Sequence, residues 1–188
     1  MNFLEFAVWG AYLTSMGIFL AGAGFADKIG WFYATQGFVS LFMPAVMGII
    51  ADRWVHARKM LGLCPLLAAV FMAGAAWFGS QSTICFAGLF TCYTFSVAFY
   101  MPTLALSNSV AYTALRQQNL DTVKCFPPIR VFGTVGFIIA MWTTNFAHFA
   151  ASYAQWYFSA VLVIIWGFYC FTLPACPTST ANTRSLVD

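Results

Sequence analysis

The charged residues of this chain are bunched, and long uncharged stretches separate them. No Asp, Glu, Lys or Arg occurs at 6–26, 29–51, 60–115 or 131–183. Each stretch is longer than the roughly 20 apolar residues that a helix needs to cross the hydrocarbon core of a bilayer. Charged residues make up 7% of the sequence, whereas a soluble domain carries about a quarter. This pattern predicts an integral membrane protein.

Turn-forming residues divide the two longest uncharged stretches, at 79–82 and at 145–152. Backbone polar groups must be satisfied internally in lipid, so the apolar segments are expected to be helices. The predicted spans are 3–25, 31–51, 60–78, 84–112, 127–147 and 153–173. The predicted fold class is therefore all-α, with a six-helix transmembrane bundle at 1–174 and a cytoplasmic linker or tail at 175–188. In the fifth span Gly133, Gly136 and Ala140 share one helix face and would let a neighbouring backbone approach closely.

The basic residues fall on one side of the predicted membrane. By parity, the amino terminus, the loops after the second and fourth spans and the tail share one face. Its basic residues are Arg53, Arg58, Lys59, Arg116, Lys124 and Arg184. The opposite loops offer only Lys28, beside Asp27. By the positive-inside rule, the basic face and the amino terminus are predicted to be cytoplasmic.

Several classes of function are disfavoured by the same composition. The six cysteines form no CxxC pair and no Cys/His ligand spacing, so we expect them to be small buried hydrophobic residues. The net charge of +3 comes from membrane-flanking loops and gives no case for nucleic acid as a partner. Asp52 lacks the companion carboxylates of a metal-dependent phosphotransferase, and no nucleophile has an evident base. We expect no enzyme activity, no cofactor and no metal.

Arg130 stands near the start of an otherwise uncharged predicted span, where an arginine costs about 2.5 to 3.5 kcal/mol if it reaches the helix centre. Thr134 and Phe137 follow four and seven residues later and share its helix face. A guanidinium can hold paired oxygens such as sugar hydroxyls, and an aromatic ring can stack on a planar base. The trio suits a polar, ring-bearing solute. Alternatively, if Pro127 is the first helical residue, Arg130 lies in the first turn and snorkels to the interface.

Glu5 is the one carboxylate within a predicted span, and Trp9, Tyr12 and Met16 lie on its helix face. Burial disfavours the charged form of a carboxylate. Glu5 is therefore the candidate for proton coupling, because it could bind a proton and release it when its exposure to water changes. The alternative is an interfacial Glu5 that is favoured by the dipole at the helix amino terminus.

Polar residues also follow one face of the fourth span. They are Ser96, Tyr100, Thr103 and Ser107. Asn108 and Tyr112 point away from this stripe, and in the second span Gln36 lies near Ser40. These groups are predicted either to line a cavity or to hydrogen-bond between helices.

The loop that begins at Gly48 joins the second and third predicted spans. Three residues separate this glycine from Asp52 and Arg53, and further basic residues follow. This arrangement resembles the signature loop of the major facilitator superfamily, which carries Gly, three residues and then Asp-Arg/Lys. The resemblance makes Gly48, Asp52 and Arg53 candidates for a conformational loop, although a charge cluster that only sets topology is the alternative.

Four segments resemble the nucleoside:proton symporter family within that superfamily. They are FLEFAVWG at 3–10, FMPAVMGIIADRW at 42–54, YMPTLALSN at 100–108 and FPPIRVFGTVGF at 126–137. The resemblance implies proton-coupled nucleoside uptake across the bacterial inner membrane, and Arg130, Thr134 and Phe137 match positions that contact substrate in that family. Members have twelve spans in two six-helix bundles, so the chain is interpreted as the amino-terminal half.

The implied partners are a nucleoside, protons, the lipid bilayer, and either a missing second six-helix half or a second copy of this chain. Transport of another small solute, such as a sugar, remains an alternative. So does a six-span membrane scaffold that transports nothing.

Overall fold

A computed structural model of the chain describes residues 1–53 and 57–172, and all the regular elements in these residues are helical. They are α1 (Asn2–Tyr12), α2 (Met16–Gly22), a 3-10 turn (Ala26–Lys28), α3 (Ile29–Arg53), α4 (Ala57–Gly79), α5 (Phe86–Gln117), α6 (Thr122–Phe146) and α7 (Ala154–Phe171). Within the described residues, six helical segments are long and apolar enough to cross a membrane, with α1 and α2 together forming the first. The prediction of six spans is confirmed.

The fifth span begins earlier than predicted. α6 starts at Thr122 rather than at Pro127, because the Asp121 side chain caps it by accepting a hydrogen bond of 2.9 Å from the backbone N–H of Val123. Pro127 and Pro128 lie inside the helix, where each removes one backbone donor. Arg130 is therefore in the third turn of α6, and the first-turn position that the snorkelling alternative requires is wrong.

The first span is interrupted between α1 and α2, at Leu13–Ser15. Side chains of two neighbouring helices bond to this segment. The Tyr33 hydroxyl donates to the Leu13 carbonyl over 2.8 Å, and the Ser15 hydroxyl donates to the Gln155 amide oxygen over 2.6 Å. Irregular backbone at membrane depth needs partners of this kind, so α3 and α7 hold the interruption in place.

The helix packing has an internal symmetry. The main contacts join α1 with α6 and α7, α4 with α5 and α7, and α3 with α5. In span numbers these pairs are 1·5, 1·6, 3·4, 3·6 and 2·4. Spans 1, 2 and 3 can be exchanged with spans 4, 5 and 6, respectively. This exchange converts the pair 1·5 into 2·4 and the pair 1·6 into 3·4, and it leaves the pair 3·6 unchanged. The bundle therefore packs as two equivalent three-helix units, which is the repeat architecture common in transporters.

The core lies among α1, α4, α5 and α7. Trp156, Trp166, Tyr93 and Phe32 are among its largest fully buried side chains. The two remaining spans are outlying, because only 11% of the most apolar stretch of the second span and 17% of that of α6 are buried. α3 and α6 therefore present most of their side chains outward.

Candidate functional site

α1 and α6 meet along a seam where their backbones touch. A Cβ added at Gly10 would lie 2.2 Å from the Phe137 carbonyl oxygen, and one added at Gly136 would lie 2.2 Å from the Phe3 carbonyl oxygen. Real Cβ atoms are not found so close to backbone, so only glycine fits at either position. Gly133, Gly136 and Ala140 are all buried, which confirms the predicted packing face of the fifth span.

Arg130 turns its charged group onto this seam. Its guanidinium carbon lies 4.1 Å from the centre of the Phe6 ring, and the same ring covers Gly133. The guanidinium is thus held against α1 by a cation–π contact. Arg130 is therefore packed against a neighbouring helix, and its role in binding a solute stays a prediction.

The exposed side of α6 has two different sectors. Residues spaced by three or four share a helix face, and Arg130, Thr134, Phe137, Met141 and Asn145 therefore form one polar and aromatic stripe beside the seam. Arg130 and Thr134 are exposed, and Phe137 is half-buried. The other sector is apolar and consists of Val131, Phe132, Val135, Ile138, Ile139, Trp142 and Phe146. The structure thus brings the three predicted substrate residues together on one outward-facing surface beside the seam, the groove.

Glu5 lies on the opposite side of α1, in the core. It is fully buried, and the Ser107 hydroxyl of α5 donates to one carboxylate oxygen over 2.6 Å. The other carboxylate oxygen is buried and has no hydrogen-bond partner among the described residues. The Tyr100 hydroxyl also donates to the Glu5 backbone carbonyl. Glu5 is therefore inside the bundle, and its role in proton coupling stays a prediction.

Two consecutive residues of α1 contact two different helices. Glu5 hydrogen-bonds to Ser107 on α5, and Phe6 contacts Arg130 on α6. The Arg130 charge lies within electrostatic range of the Glu5 carboxylate. The candidate proton carrier is therefore next in sequence to the residue that contacts the candidate substrate residue.

The polar stripe of the fourth span holds helices together. All four of its members are buried. Ser96 donates to the Ala68 carbonyl on α4 over 2.9 Å, while Tyr100 and Ser107 bond to α1. The prediction of interhelical hydrogen bonds is confirmed for these three residues.

The remaining predicted polar groups divide between the core and the surface. Gln36 accepts a hydrogen bond of 2.7 Å from Tyr93 on α5, whereas Ser40 bonds within its own helix to Gly37. Asn108 and Tyr112 line an open cavity of about 490 Å³.

The candidate conformational loop falls partly outside the described part of the structure. Gly48 is half-buried in α3, and a Cβ added there would meet open space. The side chains of Asp52 and Arg53, and the linker or tail predicted at 175–188, lie outside the described residues.

Two important contacts were not anticipated from the sequence. The partner of Arg130 is Phe6, and the backbone contact that sets their distance depends on Gly10. Gly10 on the first span packs against the fifth span. The sequence indicates this pairing only if the two spans are already known to pack together. Ser107 was predicted as a polar side chain of the fourth span, but its bond to Glu5 was not.

The fold is a six-helix membrane bundle with a guanidinium, a hydroxyl and an aromatic ring along one stripe of α6. The family model described as "Nucleoside H+ symporter" matches residues 1–187. The chain belongs to the nucleoside H+ symporter family, so the predicted family and fold class are confirmed.

Curated relatives and solved structures agree with this assignment. The xanthosine permease of Escherichia coli strain K12 is 38% identical over all of this chain and 44% of that protein. The nucleoside permease NupG of the same strain is 35% identical over 95% of this chain and 42% of that protein. A crystal structure of a NupG mutant has a TM-score of 0.88 at 35% identity and covers 97% of this chain and 45% of that one. The chain thus spans less than half the length of these relatives, and it is a multi-pass membrane protein.

Proposed function

We propose that this chain is the amino-terminal half of a proton-coupled nucleoside transporter of the bacterial inner membrane. The observation that carries the proposal is Arg130, held on the Phe6 ring and exposed beside the seam, in a chain that belongs to the nucleoside H+ symporter family. The second six-helix half would close the groove from the opposite side, and the two halves would rock about it in alternating access.

Arg130, Thr134 and Phe137 form the substrate face in this proposal. The guanidinium fork binds paired oxygens of the ribose, the Thr134 hydroxyl adds a hydrogen bond, and the Phe137 ring stacks on the base. Support comes from the position of the three side chains on one stripe of α6 beside the seam. The seam is rigid there, because the backbones of α1 and α6 touch at Gly10 and Gly136.

Glu5 is the proton carrier in this proposal. Its carboxylate is buried, one oxygen accepts from Ser107, and the other is without a described partner. A protonated carboxyl is neutral and tolerates such surroundings far better than an anion does. Movement of α1 relative to α5 would change the access of water to Glu5 and so release the proton.

In this proposal the cytoplasmic side holds the amino terminus, the loop around Gly48, Asp52 and Arg53, and the linker at 175–188. The basic residues of these loops support this orientation by the positive-inside rule. In this orientation the membrane potential drives protons inward. One charge moved through 100 mV supplies about 2.3 kcal/mol, and each tenfold accumulation of solute costs about 1.4 kcal/mol. One proton per nucleoside therefore suffices for accumulation of more than tenfold.

Uptake by proteoliposomes that contain the complete transporter tests the proposal. Labelled uridine and xanthosine should accumulate when the outside is made acidic, and a protonophore should abolish the accumulation. An excess of unlabelled nucleoside should compete, whereas a sugar should not. Failure of both nucleosides to accumulate under an imposed proton gradient would refute the proposal.

A further inference from the structure

A second cavity lies at the other end of the groove, beside the interruption of the first span. Its volume is about 320 Å³, and Thr14, Ile18, Met141, Trp142 and Asn145 are among the residues that line it. Known small-molecule pockets begin at about 300 Å³. The cavity therefore has room for one small solute.

The polar groups in the frame of this cavity are already satisfied. Ser15 is bonded to Gln155, and the Thr144 hydroxyl bonds to the Ala11 carbonyl across the seam over 3.1 Å and to Ala140 over 2.9 Å. These bonds fix the walls. They also leave none of these hydroxyl donors free for a ligand.

Three other lining side chains are free to bind a ligand. The hydroxyl of Thr14 and the amide of Asn145 make no side-chain hydrogen bond within the described residues. The Trp142 side chain is 59% exposed, so part of its ring is available for stacking. A donor and acceptor amide, a hydroxyl and an indole ring are therefore grouped around one space.

The cavity continues the stripe that carries the proposed substrate face. Met141 and Asn145 follow Phe137 at helical spacing, so they lie about 6 and 12 Å farther along the axis of α6. A solute that leaves the cavity along the groove would reach Phe137, then Thr134 and Arg130, without crossing a helix.

We propose that this cavity is a second recognition subsite, the outer subsite, which binds the nucleoside before it reaches Arg130. The inference rests on the proposed function. The base stacks on Trp142 and pairs one polar edge with the Asn145 amide, and the Thr14 hydroxyl bonds to the ribose. Stacking on an indole together with a single amide accepts both purines and pyrimidines, so the outer subsite selects nucleosides as a class.

Chemical protection of position 141 tests the outer subsite in the complete transporter. Met141 lines the cavity but makes none of the proposed contacts, so in a Met141→Cys variant the rate of modification by a methanethiosulfonate reagent is read at that position by peptide mass spectrometry, with and without millimolar uridine. The measurement is repeated in an Arg130→Ala background, which removes the guanidinium of the proposed substrate face. Phe146→Cys, on the same helix but outside the cavity lining, is the matched control.

We expect uridine to slow modification at position 141 at least about fivefold in both backgrounds and to leave position 146 unaffected. Protection that disappears with Arg130→Ala would overturn the outer subsite, because position 141 would then only report binding at Arg130. Absence of protection in both backgrounds would overturn it as well. Protection in both backgrounds, together with no uridine uptake by the transporter without these substitutions, would retain the outer subsite and reject the transport proposal.

Discussion

The guanidinium of Arg130 lies over the face of the Phe6 ring, with 4.1 Å between the guanidinium carbon and the ring centre. Within the described residues the guanidinium makes no hydrogen bond, so its N–H donors stay free. A guanidinium that is orientated in this way loses little further freedom when it binds paired oxygens. The contact therefore prepares Arg130 for a ribose.

Replacement of Arg130 should weaken nucleoside binding. Hydrogen bonds to a charged group are worth about 1.5 to 3 kcal/mol, so Arg130→Ala should lower uridine affinity by about 10- to 100-fold. Arg130→Lys keeps the charge but not the fork, and it should recover only part of the loss. Equilibrium binding to the purified transporter measures both. Arg116→Ala, at the exposed end of α5, is the control, and an equal loss there would contradict a specific role for Arg130.

Phe6→Leu should have a smaller effect that depends on Arg130. A cation–π contact contributes about 0.5 to 2 kcal/mol, so uridine affinity should fall by a few fold in the otherwise unaltered transporter. In the Arg130→Ala background the same substitution should change nothing further, because its partner is already absent. Additive losses in the double variant would show that Phe6 acts independently of the guanidinium.

Glu5→Gln should separate transport from proton coupling. Glutamine is nearly isosteric and can still accept from Ser107, but it cannot carry a proton. We expect accumulation driven by an acid-outside gradient to be lost, while exchange of labelled for unlabelled uridine across the membrane continues. Asp27→Asn, at the exposed 3-10 turn, should leave both activities intact. Full gradient-driven accumulation in the Glu5→Gln variant would remove Glu5 from the mechanism.

Ser107→Ala should destabilise the bundle through Glu5. It leaves a buried carboxylate oxygen unpaired, which costs about 1 to 3 kcal/mol, and the melting temperature in detergent should fall. Ser109→Ala, an exposed position on the same helix, should have little effect. The cost of Ser107→Ala should also shrink in a Glu5→Leu background, which removes the acceptor of this hydrogen bond. An unchanged cost there would mean that Ser107 stabilises the protein by another route.

Gly136→Ala should be destabilising although alanine is the better helix former. The new methyl group would meet the Phe3 carbonyl, and overpacking of this kind costs about 1 to 3 kcal/mol. Gly37→Ala adds the same methyl group to α3 where nothing lies within 4 Å, so it should be neutral or slightly stabilising. Thermal unfolding of the chain in detergent compares the two, and equal melting temperatures would argue against a tight seam.

The sequence predicts the spans well because lipid leaves so few alternatives for an uncharged segment. Helix ends were less predictable, since Asp121 starts α6 ahead of two prolines that indicated a later beginning. The interruption at Leu13–Ser15 gave no signal, because the hydrogen bonds that stabilise it come from Tyr33 and Gln155, which are distant in sequence.

The candidate site was predictable within each helix but not between helices. Periodicity placed Thr134 and Phe137 beside Arg130, since spacing alone decides which residues share a face. It could not pair Glu5 with Ser107 or Arg130 with Phe6. Those contacts depend on which helices pack together and at what depth, and this is set by complementary glycines on two separate spans.

The contact through Gly10 and Gly136 has a mechanical consequence. No side chain separates the two backbones, so α1 and α6 have no intervening layer along which to slide. A rearrangement that opens the groove first to one side of the membrane and then to the other must move both helices as one stiff body. Glu5 and Arg130, one on each of these helices, would then travel together, and their separation would stay constant while their surroundings change.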